Sequence, residues 1–363
     1  MIHCRHFNTC SGCTLDEQAL RPPVYEKALR FFTSHGVKDV ELAAANLTKW
    51  RVRAKLAVRG QIGNPVIGLF KERSHDVLEI PFCKVHNPLI NESIELIKQS
   101  MIKLHIEPYD EALHKGLLRY VQLVVNRQTN TVQLSLIVNS QEGALKLANF
   151  LQNEKPELWH SIWINVNDGQ TNRILGDEWI FVSGKRDFKE KILHQDIYLS
   201  PAGFSQANMD LFESIVQAIV DNVDVWAHVI EYYAGVGSIG LPVAAKCRSL
   251  KAVEFTKEAK HMFEKAGVKN TSYFVGPVKD FTHLINDADT IIVDPPRKGL
   301  DPFLLKALKE VKGKKLIYVS CGYESFEKDA ISLIESGYRL TYAKTYLLFP
   351  GSNHIETLAI FNS

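Results

Sequence analysis

From about Gln206 onward, short apolar runs of strand character alternate with stretches of helical periodicity. Strands are expected at 229–233, 250–255, 290–294, 315–320, 338–346 and 354–361, with helices near 239–246, 257–266, 302–311 and 325–336. Parallel neighbours need long crossover connections, and helices supply them. The order therefore implies an α/β fold, a doubly wound, Rossmann-like parallel sheet that ends in an antiparallel hairpin. Ligands of such sheets sit at the carboxyl ends of the strands, so the residues that close each strand carry the most information.

The first strand closes in Glu231-Tyr232-Tyr233-Ala234-Gly235-Val236-Gly237-Ser238-Ile239-Gly240. Glycines at 235 and 237 let the backbone approach a ligand, but dinucleotide enzymes share that turn. The next strand ends in Glu254, an acid able to hold ribose hydroxyls. Up to this point, cofactor binding for hydride transfer and for methyl transfer fit equally. Asp294-Pro295-Pro296-Arg297-Lys298-Gly299 separates them, because an Asp-Pro-Pro turn at the fourth strand suits methyl transfer to planar nitrogenous groups. Enzymes that methylate amino groups place an aromatic residue after the prolines, whereas Arg297 stands here and Cys321 closes the next strand.

A lone cysteine is by default a small buried hydrophobe. Cys321, with Asp294 before it and His354-Ile355-Glu356 after it, reads instead as a nucleophile sharing a pocket with a base. Carbon 5 of uracil is a poor nucleophile until a thiolate adds to carbon 6. The enolate then takes up a methyl group from a sulfonium donor, a base removes the carbon-5 proton, and the thiolate leaves. Cys321 fits the nucleophile and Glu356 the base; His354, two residues away, is the other candidate base.

Cys4, Cys10 and Cys13 form a C-x5-C-x2-C cluster, and Cys83 follows in Pro81-Phe82-Cys83-Lys84. Zinc sites usually combine two close pairs, while three close cysteines plus one distant one suit a [4Fe–4S] cluster better. Free thiols without a metal are the third possibility, and Cys247 reads as structural. A helix is expected over 16–34, despite Pro22 and Pro23, and an α+β region from about 47 to 204. Within that region Lys49-Trp50-Arg51-Val52-Arg53-Ala54-Lys55-Leu56-Ala57-Val58-Arg59 carries five cations and no acid. Strand alternation places Arg51, Arg53, Lys55 and Arg59 toward one face, fit to follow a phosphate backbone, with Trp50 as a stacking surface; a solvated strand face is the plainer reading. The net charge of +2 adds nothing to that choice. No apolar run reaches the ~20 residues that span a bilayer, and no signal-peptide core precedes the cysteines. The expectation is a cytoplasmic monomer with no membrane partner. Three segments are expected: 1–46 with the cysteines, 47–204 for RNA binding, and 205–363 for catalysis.

Taken together, the cysteine loop with Cys83, the 51–60 strand, Ser200-Pro201-Ala202-Gly203-Phe204-Ser205-Gln206-Ala207-Asn208, the glycine turn, Asp294 to Gly299, Val319-Ser320-Cys321 and His354-Ile355-Glu356 resemble the RNA 5-methyluridine methyltransferases. The resemblance spans nearly the whole chain. It implies S-adenosylmethionine as methyl donor, held by Gln206, Tyr233, Ser238, Glu254 and Asp294 with the glycine turn, and Cys321 and Glu356 as nucleophile and base. Asp294 would also reach the uracil edge. The four-cysteine set resembles the ribosomal branch, which makes 23S ribosomal RNA the expected substrate ahead of transfer RNA. The chain departs from the family pattern at Gly322-Tyr323, where Asn-Pro is usual, at Ser325-Phe326 in place of Thr-Leu, at Ser238, often Asn, and in lacking the small β-barrel before Cys4. A non-catalytic RNA-binding protein that keeps a methyltransferase shell is the alternative these departures raise.

Overall fold

The computed structural model describes residues 2–7, 9–170 and 173–363. They divide into two compact units: Met1–Asp16, Asn46–Glu190 and Ser200–Met209 in one, Glu17–Ala45, Lys191–Leu199 and Asp210–Ser363 in the other. The segments expected at 1–46, 47–204 and 205–363 are thus shared out by packing. The cysteine loop lies with the central sheet, and the helix that follows it lies with the C-terminal one.

The first unit is built on a seven-stranded sheet ordered Val77–Glu79, Asn64–Phe70, Arg53–Gln61, Leu118–Asn126, Thr131–Val138, Trp159–Val166, Glu178–Gly184. All neighbours are antiparallel except Thr131–Val138 with Trp159–Val166, the pair joined through the helix Ala144–Glu154. That parallel pairing follows from the crossover helix, as a short turn could not supply it. The helices Pro88–Leu104 and Ala144–Glu154 bury Ile90, Ile94, Ile97, Leu147 and Leu151 at three- and four-residue spacing, the pattern of an amphipathic face.

The second unit holds an eight-stranded sheet ordered Leu42–Ala44, Arg339–Leu347, Glu356–Asn362, Lys315–Ser320, Thr290–Val293, His228–Tyr232, Ser249–Glu254, Thr271–Val275. Glu356–Asn362 alone runs antiparallel to its neighbours, which is the hairpin end expected from the sequence. Two strands were not legible beforehand, Thr271–Val275 and the three-residue edge Leu42–Ala44. The expected helix over 16–34 begins only at Pro23, with Pro22 as its cap. Proline fits a first helical turn but no later position, so two consecutive prolines set the start. Phe31 and Phe32 of that helix pack edge-on or tilted against Phe326, whose ring also meets Tyr318. The aromatic cluster anchors the helix Tyr323–Glu335 directly behind the end of the Lys315–Ser320 strand.

Candidate active site

Cys321 follows the last residue of Lys315–Ser320, and Glu356 opens the strand beside it. These strands pair antiparallel with Ser320 opposite Thr357, so one further step along the ladder sets position 321 opposite position 356. Asp294 follows Val293 on the other flank of the same strand. The three groups act on one another electrostatically. Burial pushes the Cys321 thiol up to about 11; Glu356 and Asp294 add to the rise and Arg297 opposes it. Burial likewise lifts Glu356 to about 8, with Asp294 adding and Arg297 opposing, and lifts Asp294 to about 7. Glu356 is buried whereas His354 is exposed, and burial with the charge of Arg297 lowers the His354 pKa. A shielded carboxyl with a pKa near neutrality is the better proton acceptor of the two.

Arg297 rides on a loop fixed from four sides. Gly299 N–H donates to Pro296 C=O at 2.8 Å, and Ser325 Oγ donates to Arg297 C=O at 2.7 Å. Asp329 accepts from Leu300 N–H at 2.9 Å and from the Tyr318 hydroxyl at 2.8 Å, while Asp301 N–H donates to Tyr233 Oη at 2.9 Å. The unusual residues after the nucleophile find their reason here. A Cβ on Gly322 would stand 2.8 Å from Arg297 O and 3.0 Å from Ser325 Oγ, so glycine lets the Arg297 backbone lie against the nucleophile's turn. Ser325 holds Gly322 C=O as well as Arg297 C=O, and Phe326 fills the core. Gly322→Ala should therefore displace Arg297. We expect an overpacking cost of about 1–3 kcal/mol in urea unfolding, together with a fall in single-turnover methyl transfer.

The turn after His228–Tyr232 is shaped for a ligand. Tyr233, Gly235 and Gly237 all have positive φ (63°, 53° and 85°), and nothing lies within 4 Å of where a Gly235 Cβ would stand. Gly237 N–H closes the turn onto Ala234 C=O at 2.8 Å. Glu254 accepts from Gly235 N–H at 3.0 Å and from Thr256 N–H at 2.8 Å, one bond on each carboxylate oxygen. Each oxygen keeps a second lone pair for a hydroxyl donor. Ser238 sits half-buried in the same turn. The structure thus brings Tyr233, Gly235, Gly237, Ser238, Glu254 and Asp294 to the carboxyl edge of one sheet. Gln206 belongs to the first unit, in the segment where Ser205 accepts from Arg53 at 2.9 Å.

Two residues of this edge were not singled out from sequence. Glu231 is 1% exposed and accepts from Gly240 N–H; burial first, then Asp294 and Glu254, push its carboxyl well above the usual range. Its carboxyl braces the glycine turn from beneath through Gly240 N–H. An acid closing an otherwise apolar strand was the signal available. Asp329, the clamp of the Arg297 loop, had none, because its partners are distant in sequence.

In the first unit, Cys4, Cys10, Cys13 and Cys83 line one apolar cavity with Ile2, Ile80 and Val85. Burial lifts Cys13 to about 12, and Cys83, Cys10 and Cys4 add to it, so the sulfurs are mutual neighbours. Among the described residues, no three His, Cys, Asp or Glu side chains converge closely enough to share one metal ion. The basic stripe is only partly as expected. Arg53 donates to Ser205 and Gln122, and Arg59 is engaged by Glu111 and by backbone carbonyls. Trp50, expected as a stacking surface, is only 7% exposed. It precedes the Arg53–Gln61 strand, and the Arg51 guanidinium covers its ring at 4.8 Å.

Residues 278–362, which contain Asp294, Arg297, Cys321 and Glu356, match the family model of tRNA (uracil-5-)-methyltransferases. A protein of Protochlamydia amoebophila named an uncharacterized RNA methyltransferase is 40% identical over 99% of this chain and 97% of its own length. One of the same description from Fusobacterium nucleatum is 30% identical over 90% of this chain and 73% of its length. The crystal structure of the Pyrococcus abyssi tRNA (uracil-54, C5)-methyltransferase in complex with S-adenosyl-L-homocysteine superposes with a TM-score of 0.80, covering 98% of this chain and 86% of that one. At 24% identity that likeness speaks for the fold, which is the Rossmann-like methyltransferase fold with its preceding α+β unit. With a near full-length relative at 40% identity and the family model lying over the cysteine and the glutamate that face each other, the chain belongs to the RNA uracil-5 methyltransferase family.

Proposed function

We propose that this protein methylates carbon 5 of a uridine in 23S ribosomal RNA, with S-adenosylmethionine as donor. The observation that carries the chemistry is the cross-strand placement of Cys321 opposite Glu356, with Asp294 and Arg297 acting on both. Arg297 favours the thiolate, which forms a bond from Sγ to carbon 6 of the ring. Electron density displaced toward carbon 5 and the ring carbonyl makes carbon 5 nucleophilic. S-adenosylmethionine, when bound, supplies an electrophilic methyl group. Glu356 as carboxylate then takes the carbon-5 proton, the double bond re-forms, and Sγ leaves carbon 6 as thiolate. Tyr233, Gly235, Gly237, Ser238 and Glu254 are the donor's binding residues in this reading. The uridine is taken out of its stack before it meets Cys321.

RNA carrying 5-fluorouridine tests the chemistry, because fluorine at carbon 5 cannot be removed as a proton. A denaturation-stable protein–RNA adduct is expected, and its absence would sink the thiolate mechanism. The choice of 23S over transfer RNA rests on the four cysteines. Mapping 5-methyluridine in both RNAs from cells with and without the gene decides it, and a site lost only from transfer RNA overturns that choice.

The four cysteines are read as the ligands of a [4Fe–4S] cluster. Each sulfur of such a centre binds a different iron, so the ligands surround a cavity and need not converge on one point. The support for this reading is that the four thiols line one apolar cavity. Bound, the cluster would tie the loop of Cys4 to Cys13 to the Cys83 turn. Anaerobically purified protein should be brown and contain about four iron atoms per chain; colourless protein with stoichiometric zinc would refute the cluster.

A further inference from the structure

The cysteine loop presents a surface that neither the catalytic site nor the cavity accounts for. Phe82 projects from the Cys83 turn with 66% of its surface exposed, and the Arg5 guanidinium stands over its ring at 5.7 Å. Lys49 and Lys84 lie alongside each other, since Lys49 N–H donates to Lys84 C=O at 2.9 Å, and both side chains are exposed. Lys49 is held there by a left-handed backbone (φ 62°), a conformation that a β-carbon disfavours. Residues 2–7, 9–13, 47–53 and 81–87 contain five lysines and arginines and no aspartate or glutamate. All of them belong to one compact unit.

A solvated lysine cluster explains the charge but not the aromatic ring. Exposing most of a phenylalanine gives up the stabilisation that burial would bring. A hydrophobic protein partner would explain the ring but not the lack of acids in these segments. A stacking ring flanked by cations is what a single-stranded polynucleotide requires: base on ring, phosphates on the ammonium groups. We propose that Phe82, Arg5, Lys49 and Lys84 form a single-stranded RNA contact on the cysteine loop, with an unpaired base stacked on Phe82. The inference uses the family's RNA substrate but not the chemistry at Cys321. Trp50, buried under Arg51, is excluded as the stacking residue, and Phe82 takes the role that sequence reasoning gave it.

The test uses the full chain and a fluorescently labelled 12-nucleotide oligouridine, read by anisotropy over a range of salt. Phe82→Leu should weaken binding by roughly 5- to 100-fold, the range expected for one stacked base. Lys49→Ala combined with Lys84→Ala should reduce the slope of log affinity against log salt by about 0.7 per lysine. Both lysines are exposed, so this pair tests the site even if Phe82→Leu disturbs folding. Circular dichroism and metal content identify that case. Ultraviolet cross-linking to oligouridine should also leave a nucleotide on the tryptic peptide 74–84, which contains Phe82. Unchanged affinity and unchanged salt slope in folded variants overturn the proposal, as they would if this face docks a protein. Cys321→Ala should bind oligouridine like the wild type, so a failure of the catalytic reading leaves this result standing.

Discussion

Cys321→Ala should abolish methyl transfer while leaving the fold and donor binding in place. The residue lies at a strand end, half-buried, and its side chain belongs to no core cluster. Removal of a covalent nucleophile costs on the order of 10⁴- to 10⁶-fold in turnover where no other group can replace it. Cys247, the other cysteine of this unit, is buried and bonded to Ser249 C=O at 3.4 Å. The measurement is tritiated methyl incorporation into RNA from a strain lacking the gene, beside denaturing gels with 5-fluorouridine RNA. A variant that still forms the adduct would show that another group attacks carbon 6.

Glu356→Gln should separate the two halves of the reaction. The thiol can still add and the methyl group can still arrive, but the carbon-5 proton has no acceptor. Turnover should fall about 10²- to 10⁴-fold, and a covalent complex should build up on ordinary uridine RNA without fluorine. A variant as slow as this that accumulates no complex would move the proton acceptor elsewhere. The wild-type pH profile carries the same signature. Glu356 titrates at about 8 and Cys321 at about 11, and each acts in its deprotonated form, so kcat/KM should climb from pH 6 to pH 9. Glu356→Gln should lose the inflection near 8. Stability runs the other way. The Glu356 pKa is raised above its ordinary 4.5, so the folded state holds that proton more tightly. Its contribution is complete below about 4.5 and lost as pH rises through about 8. In urea, the Gln variant should gain on the wild type between pH 6 and pH 9.

Much of this site was legible because its chemistry stands at strand ends. Asp294-Pro295-Pro296-Arg297, Cys321 and Glu356 each interrupt an apolar run, and apolar runs of that length locate strands well. What stayed hidden depends on contacts between distant residues. Glu17–Ala45 joins the second unit because Phe31 and Phe32 find Phe326, and no local pattern announces such a pairing. Leu42–Ala44 is a strand only because Thr345, Tyr346 and Leu347 lie beside it. Gly322 looked like a weakness after the nucleophile until the Arg297 backbone proved to occupy the space of its missing Cβ. Trp50 shows the opposite error, an aromatic in a basic run read as a stacking surface although its ring is buried.

The single antiparallel strand of the catalytic sheet has a further consequence. Glu356–Asn362 is flanked on both sides, by Lys315–Ser320 and by Arg339–Leu347, so it cannot slide or peel like an edge. A one-residue slip would turn the Glu356 side chain to the opposite face of the sheet. The backbone ladder therefore fixes the strand end that leads into Cys321 against the strand that Glu356 opens. The Arg297 loop differs from this ladder in being held to the helix behind it through side chains, by Asp329 at Leu300 N–H and by Ser325 at Arg297 C=O.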